Sequence, residues 1–159
     1  MNTETPEMFI IQNHHVKSRE VTPEDIERVK TDAKIMHELL FKPEYQVKPE
    51  RIKLGLAIVH SQITDIDPLR FFVMRDGTVI INPRIDKHTR TTVDSSEGCL
   101  TFPDKQDIIV QRWNKCMVSF QIIYQDKLLV HTAQNVESVG AKIFQHEIEH
   151  MDGVNIYGE

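Results

Sequence analysis

The residues with the clearest chemical content are His146-Glu147-Ile148-Glu149-His150, in which two histidines stand four positions apart. On a helix that spacing puts both imidazoles on one face, about one turn apart, where they can hold one cation between them. Glu147 then stands beside the cation without occupying a ligand position, and a carboxylate there can accept a proton from activated water. His and Glu are also common on solvated helices, so the motif needs support from elsewhere in the chain. A catalytic metal wants a third protein ligand and an open position. Downstream, the extended HExxHxxGxxH pattern is met as far as Gly153, but Ile156 stands where its last histidine belongs. Upstream, Ser96-Glu97-Gly98-Cys99-Leu100-Thr101-Phe102-Pro103 sets a cysteine between a glycine and an apolar residue. Cys99 is therefore the natural third ligand beside His146 and His150. Such a set suits zinc, iron and other divalent ions.

These side chains need elements to position them. The segment VESVGAKIFQHEIEHM carries Val139, Ile143, His146, Glu147 and His150 along one face of an expected helix, with Asn135 as its N-cap. CMVSFQIIY and KLLVHTA are alternating or β-branched runs joined at Gln125-Asp126, which predicts a hairpin. Met117, Ser119 and Gln121 fall on the face opposite Val118, Phe120 and Ile122. LRFFVMR and TVIINP flank Asp76-Gly77 and predict another hairpin, with Pro83 closing its second strand. LGLAIVHSQI has no solvent face, as befits a buried strand or a segment lining a substrate site. Nearer the N-terminus, Thr22-Pro23-Glu24-Asp25 reads as an N-cap, a first-turn proline and early acidic residues. Ile26, Val29, Ala33, Met36 and Leu40 follow as an apolar stripe until Pro43 stops the run. The expected fold class is α+β.

Composition narrows the function further. A chain of 159 residues and 18.5 kDa, 40% apolar, fits one domain over residues 1–159 with a core large enough to surround a site. A formal charge of -5 and a pI near 5.9 leave no basic stripe for phosphates, which argues against nucleic acid as a direct ligand. MNTETPEMFIIQNHH has neither a secretory nor a transit pattern, and no apolar run has membrane-spanning length, so a cytoplasmic protein without a membrane partner is expected. The two cysteines, Cys99 and Cys116, do not suggest a disulfide scaffold, and Cys116 reads as structural. His14, His15, His37, His88 and His131 show no ligand spacing.

EGCL, followed by HExxH near the end of the chain and preceded by Gly55-Leu56-Ala57, resembles the peptide deformylases, and the likeness runs from the amphipathic helix through Gly153. The resemblance implies antiparallel β-sheets packed around a central helix that carries HExxH. It implies Fe(II) as a physiological metal, often replaced by zinc, nickel or cobalt, and a formyl-methionyl peptide as substrate. Glu147 would move the proton between water and the leaving amine. The oxyanion donors would be the Leu100 N–H and a glutamine from a GxGLAAxQ segment.

This chain departs from that segment. Lys53 replaces its first glycine, Ile58 its second alanine and His60 its glutamine, while Gln62 lies two positions too late. His60 is expected to donate one imidazole N–H in the glutamine's place, so that His60→Gln retains or raises turnover. Glu149 stands where the family usually has aspartate, and Arg112 is its candidate partner if strand register permits. The methionine pocket is expected to include Leu54, Gly55, Val139 and Ile143, with Lys142 a polar intrusion. A transient association with the ribosome also follows from the resemblance. The nine residues after His150 leave little room for the tail of some relatives, an expected loss of contact with ribosome or substrate. Two alternatives stay open: a deformylase-like metal- or peptide-binding protein without turnover, and a zinc endopeptidase. Formate release would eliminate the first, and cleavage of an internal peptide bond would be needed for the second.

Overall fold

Asp25 starts the first helix much as the sequence predicts: its carboxylate accepts the Thr22 N–H at 2.8 Å and the Thr22 hydroxyl at 3.1 Å. One 3₁₀ turn over Pro23–Asp25 leads into α1 (Ile26–Leu39), whose buried stripe is Ile26, Val29, Ala33, Met36 and Leu39. The molecule is a computed structural model that describes residues 16–41, 56–98 and 106–157. The stop at Pro43 lies outside them. The remaining elements are β1 (Ala57–Val59), a 3₁₀ turn (His60–Gln62), β2 (Phe71–Met74), β3 (Val79–His88), β4 (Thr92–Glu97), β5 (Ile108–Trp113), β6 (Lys115–Tyr124), β7 (Lys127–Glu137) and α2 (Val139–Met151). Five strands form one antiparallel sheet in the order β1-β2-β3-β6-β7, and β4 pairs with β5 in a second sheet.

Strands β1 and β2 and the start of β3 are covered on both faces, while β7 is largely exposed. Ile58, Phe71, Val73 and Ile81 pack with Val29, Ala33 and Met36 of α1. Their neighbours Ala57, Val59, Phe72 and Ile80 pack with Ala141, Phe144 and Met151 of α2. Two-sided burial explains why residues 57–60 and 71–73 carry no polar alternation. Phe144 meets Phe72 edge-on at a centroid distance of 5.4 Å, which fixes α2 across the centre of its face.

The β6–β7 hairpin turns at Gln125 and Asp126, whose φ values of 50° and 57° suit the tight two-residue turn between paired Tyr124 and Lys127. The face alternation of β6 holds up to a register shift between Val118 and Phe120. Pro83 does not close its strand: β3 continues to His88. The register with β6 shifts between Ile81 and Arg84, so the residue that lacks an N–H sits in a bulge and removes no ladder bond. Asn82 beside it has φ 49°, and its side chain accepts the Val21 N–H at 2.8 Å and donates to the Val21 carbonyl at 2.9 Å. Asn135 is not a helix cap. It pairs with Met117 inside β7, and Ser138, at φ 52°, turns the chain into α2. Long-range ladder pairing outweighs the local capping preference there. No helix among the described residues is long and apolar enough to cross a membrane.

Candidate metal centre

The small sheet and α2 meet at Glu97 and His146. Ser95 and Glu97 alternate inward from β4, and the pairing of Val93 with Arg112 brings the guanidinium of β5 alongside them. His146 Nδ1 lies 2.8 Å from Glu97 Oε1. Arg112 grips the same carboxylate with two donors, Nε to Oε2 at 2.9 Å and Nη2 to Oε1 at 2.8 Å, and the Ser95 hydroxyl donates to Oε2 at 2.7 Å. Burial pushes the Glu97 pKa up, but the hydrogen bonds from Arg112 and His146 outweigh it and hold the carboxyl well below the usual carboxylate range. Because Glu97 is an ionised acceptor, Nδ1 is the nitrogen of His146 that donates to it, and Nε2 is the nitrogen that would bind a metal. Arg112 also donates through Nη1 to Glu149 Oε1 at 2.7 Å, so the partnership expected from strand register is present.

His150 follows one turn along α2, its ring centroid 6.5 Å from that of His146, and both His150 and Glu147 are buried. Gln145 anchors the helix from another side: it accepts the Trp113 N–H at 2.9 Å and donates to the Trp113 carbonyl at 2.7 Å. Cys116, a buried free thiol, lies 3.7 Å from Gln145 Nε2, in keeping with a structural role. Val139 is exposed at the start of α2, Ile143 packs against the core, and Lys142 Nζ reaches the Asp94 carbonyl at 3.4 Å. Leu54, Gly55, Cys99 and Leu100 lie outside the described residues. Among the described residues no three metal-binding side chains converge. The two imidazoles, with His146 oriented by Glu97, fit a divalent cation as part of a ligand set. Cys99 is two positions beyond Glu97, where β4 meets the first of them.

His60 is elsewhere. It is fully buried on the α1 side of the sheet, its ring 4.8 Å from Phe71. Nδ1 accepts the Leu69 N–H at 2.8 Å, so Nε2 carries the proton and donates to Asp32 Oδ2 at 2.7 Å. Both nitrogens are committed, and neither is left to donate toward α2. The structure therefore corrects the expected donor role: the motif register aligned His60 with the family glutamine, but the side chain points to the opposite helix. Conversely, Glu97 was in plain view as the first letter of EGCL, yet nothing local in the sequence names His146 as its partner.

A buried carboxylate that orients the first histidine of a helical HExxH, on an α+β frame with antiparallel sheets, marks the class of HExxH metal-site proteins. Residues 17–159 match the family model described as Polypeptide deformylase, and the chain belongs to that family. The peptide deformylase of Orientia tsutsugamushi (strain Ikeda) is 36% identical over 115 residues, 72% of this chain and 59% of that protein. That of Thermotoga sp. (strain RQ2) is 34% identical over 106 residues, 65% of this chain and again 59% of the relative, so the chain spans about three fifths of these curated relatives. The crystal structure of peptide deformylase from Thermotoga maritima superposes with a TM-score of 0.73 at 26% identity, covering 95% of this chain and 94% of that one.

Proposed function

We propose that this protein is a metal-dependent hydrolase that removes the formyl group from the N-terminal formyl-methionine of nascent peptides in the cytoplasm. The observation that supports the reading is the 2.8 Å bond between Glu97 and His146, which holds Nδ1 of a helical HExxH histidine and would leave Nε2 to bind a cation. His146, His150 and Cys99 would hold the ion, with Fe(II) the physiological choice and zinc, nickel or cobalt able to replace it. Such an ion, when bound, lowers the pKa of water and polarises the formyl carbonyl. Glu147 accepts a proton from the attacking water and returns one to the leaving amine, so that hydroxyl adds to the formyl carbon and formate departs.

The Leu100 N–H supplies one oxyanion donor. Gln62, whose Oε1 accepts the Val59 N–H at 2.9 Å, supplies the other in place of His60. Leu54, Gly55, Val139 and Ile143 contribute to the methionine pocket, and contact with the ribosome is transient. The test is formate release from a short formyl-methionyl peptide after anaerobic reconstitution with Fe(II), and separately with Ni(II). Turnover that disappears in Glu147→Ala supports the assignment. Stoichiometric metal without turnover means a metal-binding relative that has lost the reaction.

A further inference from the structure

The turn after β1 is fastened to α1 by a side chain the proposed chemistry does not use. His60 takes part with its ring and its main chain. Besides the Leu69 and Asp32 contacts, its carbonyl accepts the Ile63 N–H at 3.0 Å and the Thr64 N–H at 3.3 Å. Arg28 of α1 reinforces the same loop, donating to the Ile66 and Asp67 carbonyls at 2.8 Å each while its Nε stands 3.7 Å from Asp32. Asp32, Arg28 and Asp67 are the charged groups that act on the imidazole, and Phe71 of β2 covers its ring. Only the neutral Nε2–H tautomer serves both ends, because the ring must accept at one nitrogen and donate at the other.

Gln62 lies within this fastened turn, three positions past Val59, whose N–H its own carboxamide accepts. A shift of the turn against β1 would break that bond or rotate the amide. We propose that His60 is a positioning residue: it locks the 60–69 segment to α1 and so holds the Gln62 carboxamide in the orientation the reaction requires. The proposal rests on the oxyanion reading above and assigns the histidine a task that a glutamine pointing at the substrate would not need.

The experiment compares wild type, His60→Ala, His60→Gln, Gln62→Ala, the His60→Ala/Gln62→Ala double variant and Met36→Ala, all loaded with Ni(II). Met36 belongs to the same buried cluster and serves as a stability control. Expected for His60→Ala is a fall in kcat on the order of 100-fold, the scale of a small misplacement, with KM and metal content near wild type. His60→Gln, whose carboxamide also accepts and donates, recovers most of it. Met36→Ala lowers Tm but keeps kcat. The double variant is no slower than Gln62→Ala alone, because both changes remove one device. An additive double variant, or a His60→Ala loss no larger than that of Met36→Ala, overturns the proposal. Amide exchange at Ile63, Thr64 and Leu69 reads the clamp without turnover: faster exchange in His60→Ala but not in His60→Gln is expected. Unchanged exchange overturns the clamp, whereas an inactive wild type with a responsive clamp overturns only the functional reading.

Discussion

Glu97 and His146, 49 positions apart in the chain, share a 2.8 Å hydrogen bond that joins the small sheet to the helix bearing HExxH. The bond sets the histidine tautomer, and Arg112 sets the carboxylate. Orientation of Nε2, the proposed ligand atom, thus depends on a three-member chain that runs from β5 through β4 to α2.

Glu97→Gln keeps an oxygen that can accept from Nδ1 but removes the charge that raises the basicity of the ring. Metal affinity is expected to fall about 10- to 100-fold, the usual cost of losing the group behind a histidine ligand. Competition against a chromophoric chelator measures it. An unchanged Kd would mean that packing alone orients His146.

Arg112→Leu leaves Glu97 buried without its counter-charge. The two side chains are 3% and 9% exposed, so the loss should be about 3–5 kcal/mol in denaturant unfolding. Glu149 shares the same guanidinium but is 44% exposed, and Glu149→Gln should cost no more than about 1 kcal/mol. Equal losses for the two variants would contradict the view that burial decides the strength of this network.

The pH dependence of stability should carry the signature of His60. Burial lowers its pKa, and the Asp32 hydrogen bond, which acts the other way, does not cancel that. A group whose folded pKa lies below its ordinary value, about 6.5 for histidine, binds fewer protons folded than unfolded. Its contribution is therefore fully present above that ordinary value and is lost as pH falls toward the folded pKa, where protonation of Nδ1 ejects the Leu69 N–H. Urea unfolding of wild type and His60→Gln between about pH 5 and pH 8 should show a shallower acid decline in the variant. Parallel profiles would remove His60 from the account.

Periodicity made α1, both hairpins and the HExxH helix legible, because each depends on residues close together in sequence. The errors have one origin in common. Pro83 looked like a strand end because a bulge is a property of two paired strands, and β6 lies more than thirty residues away. Asn135 looked like a cap because its partner Met117 is on another strand. His60 looked like an oxyanion donor because alignment on GLA gives a position in the chain but not the side to which a side chain turns at the start of a 3₁₀ turn. Glu97 stands two positions before the cysteine of EGCL, and its role comes from the packing of β4 against α2.

Gln145 has a further consequence. By pairing with both the N–H and the carbonyl of Trp113, it does for β5 what an adjacent strand would do, although it belongs to a helix. The small sheet is therefore fastened directly to α2 rather than only through the larger sheet. Opening β5 means breaking the Gln145 and Arg112–Glu149 bonds, and freeing α2 means breaking these and the Glu97–His146 bond. The β4–β5 hairpin and the helix accordingly form one cooperative unfolding unit, with the histidine and its orienting carboxylate kept or lost together.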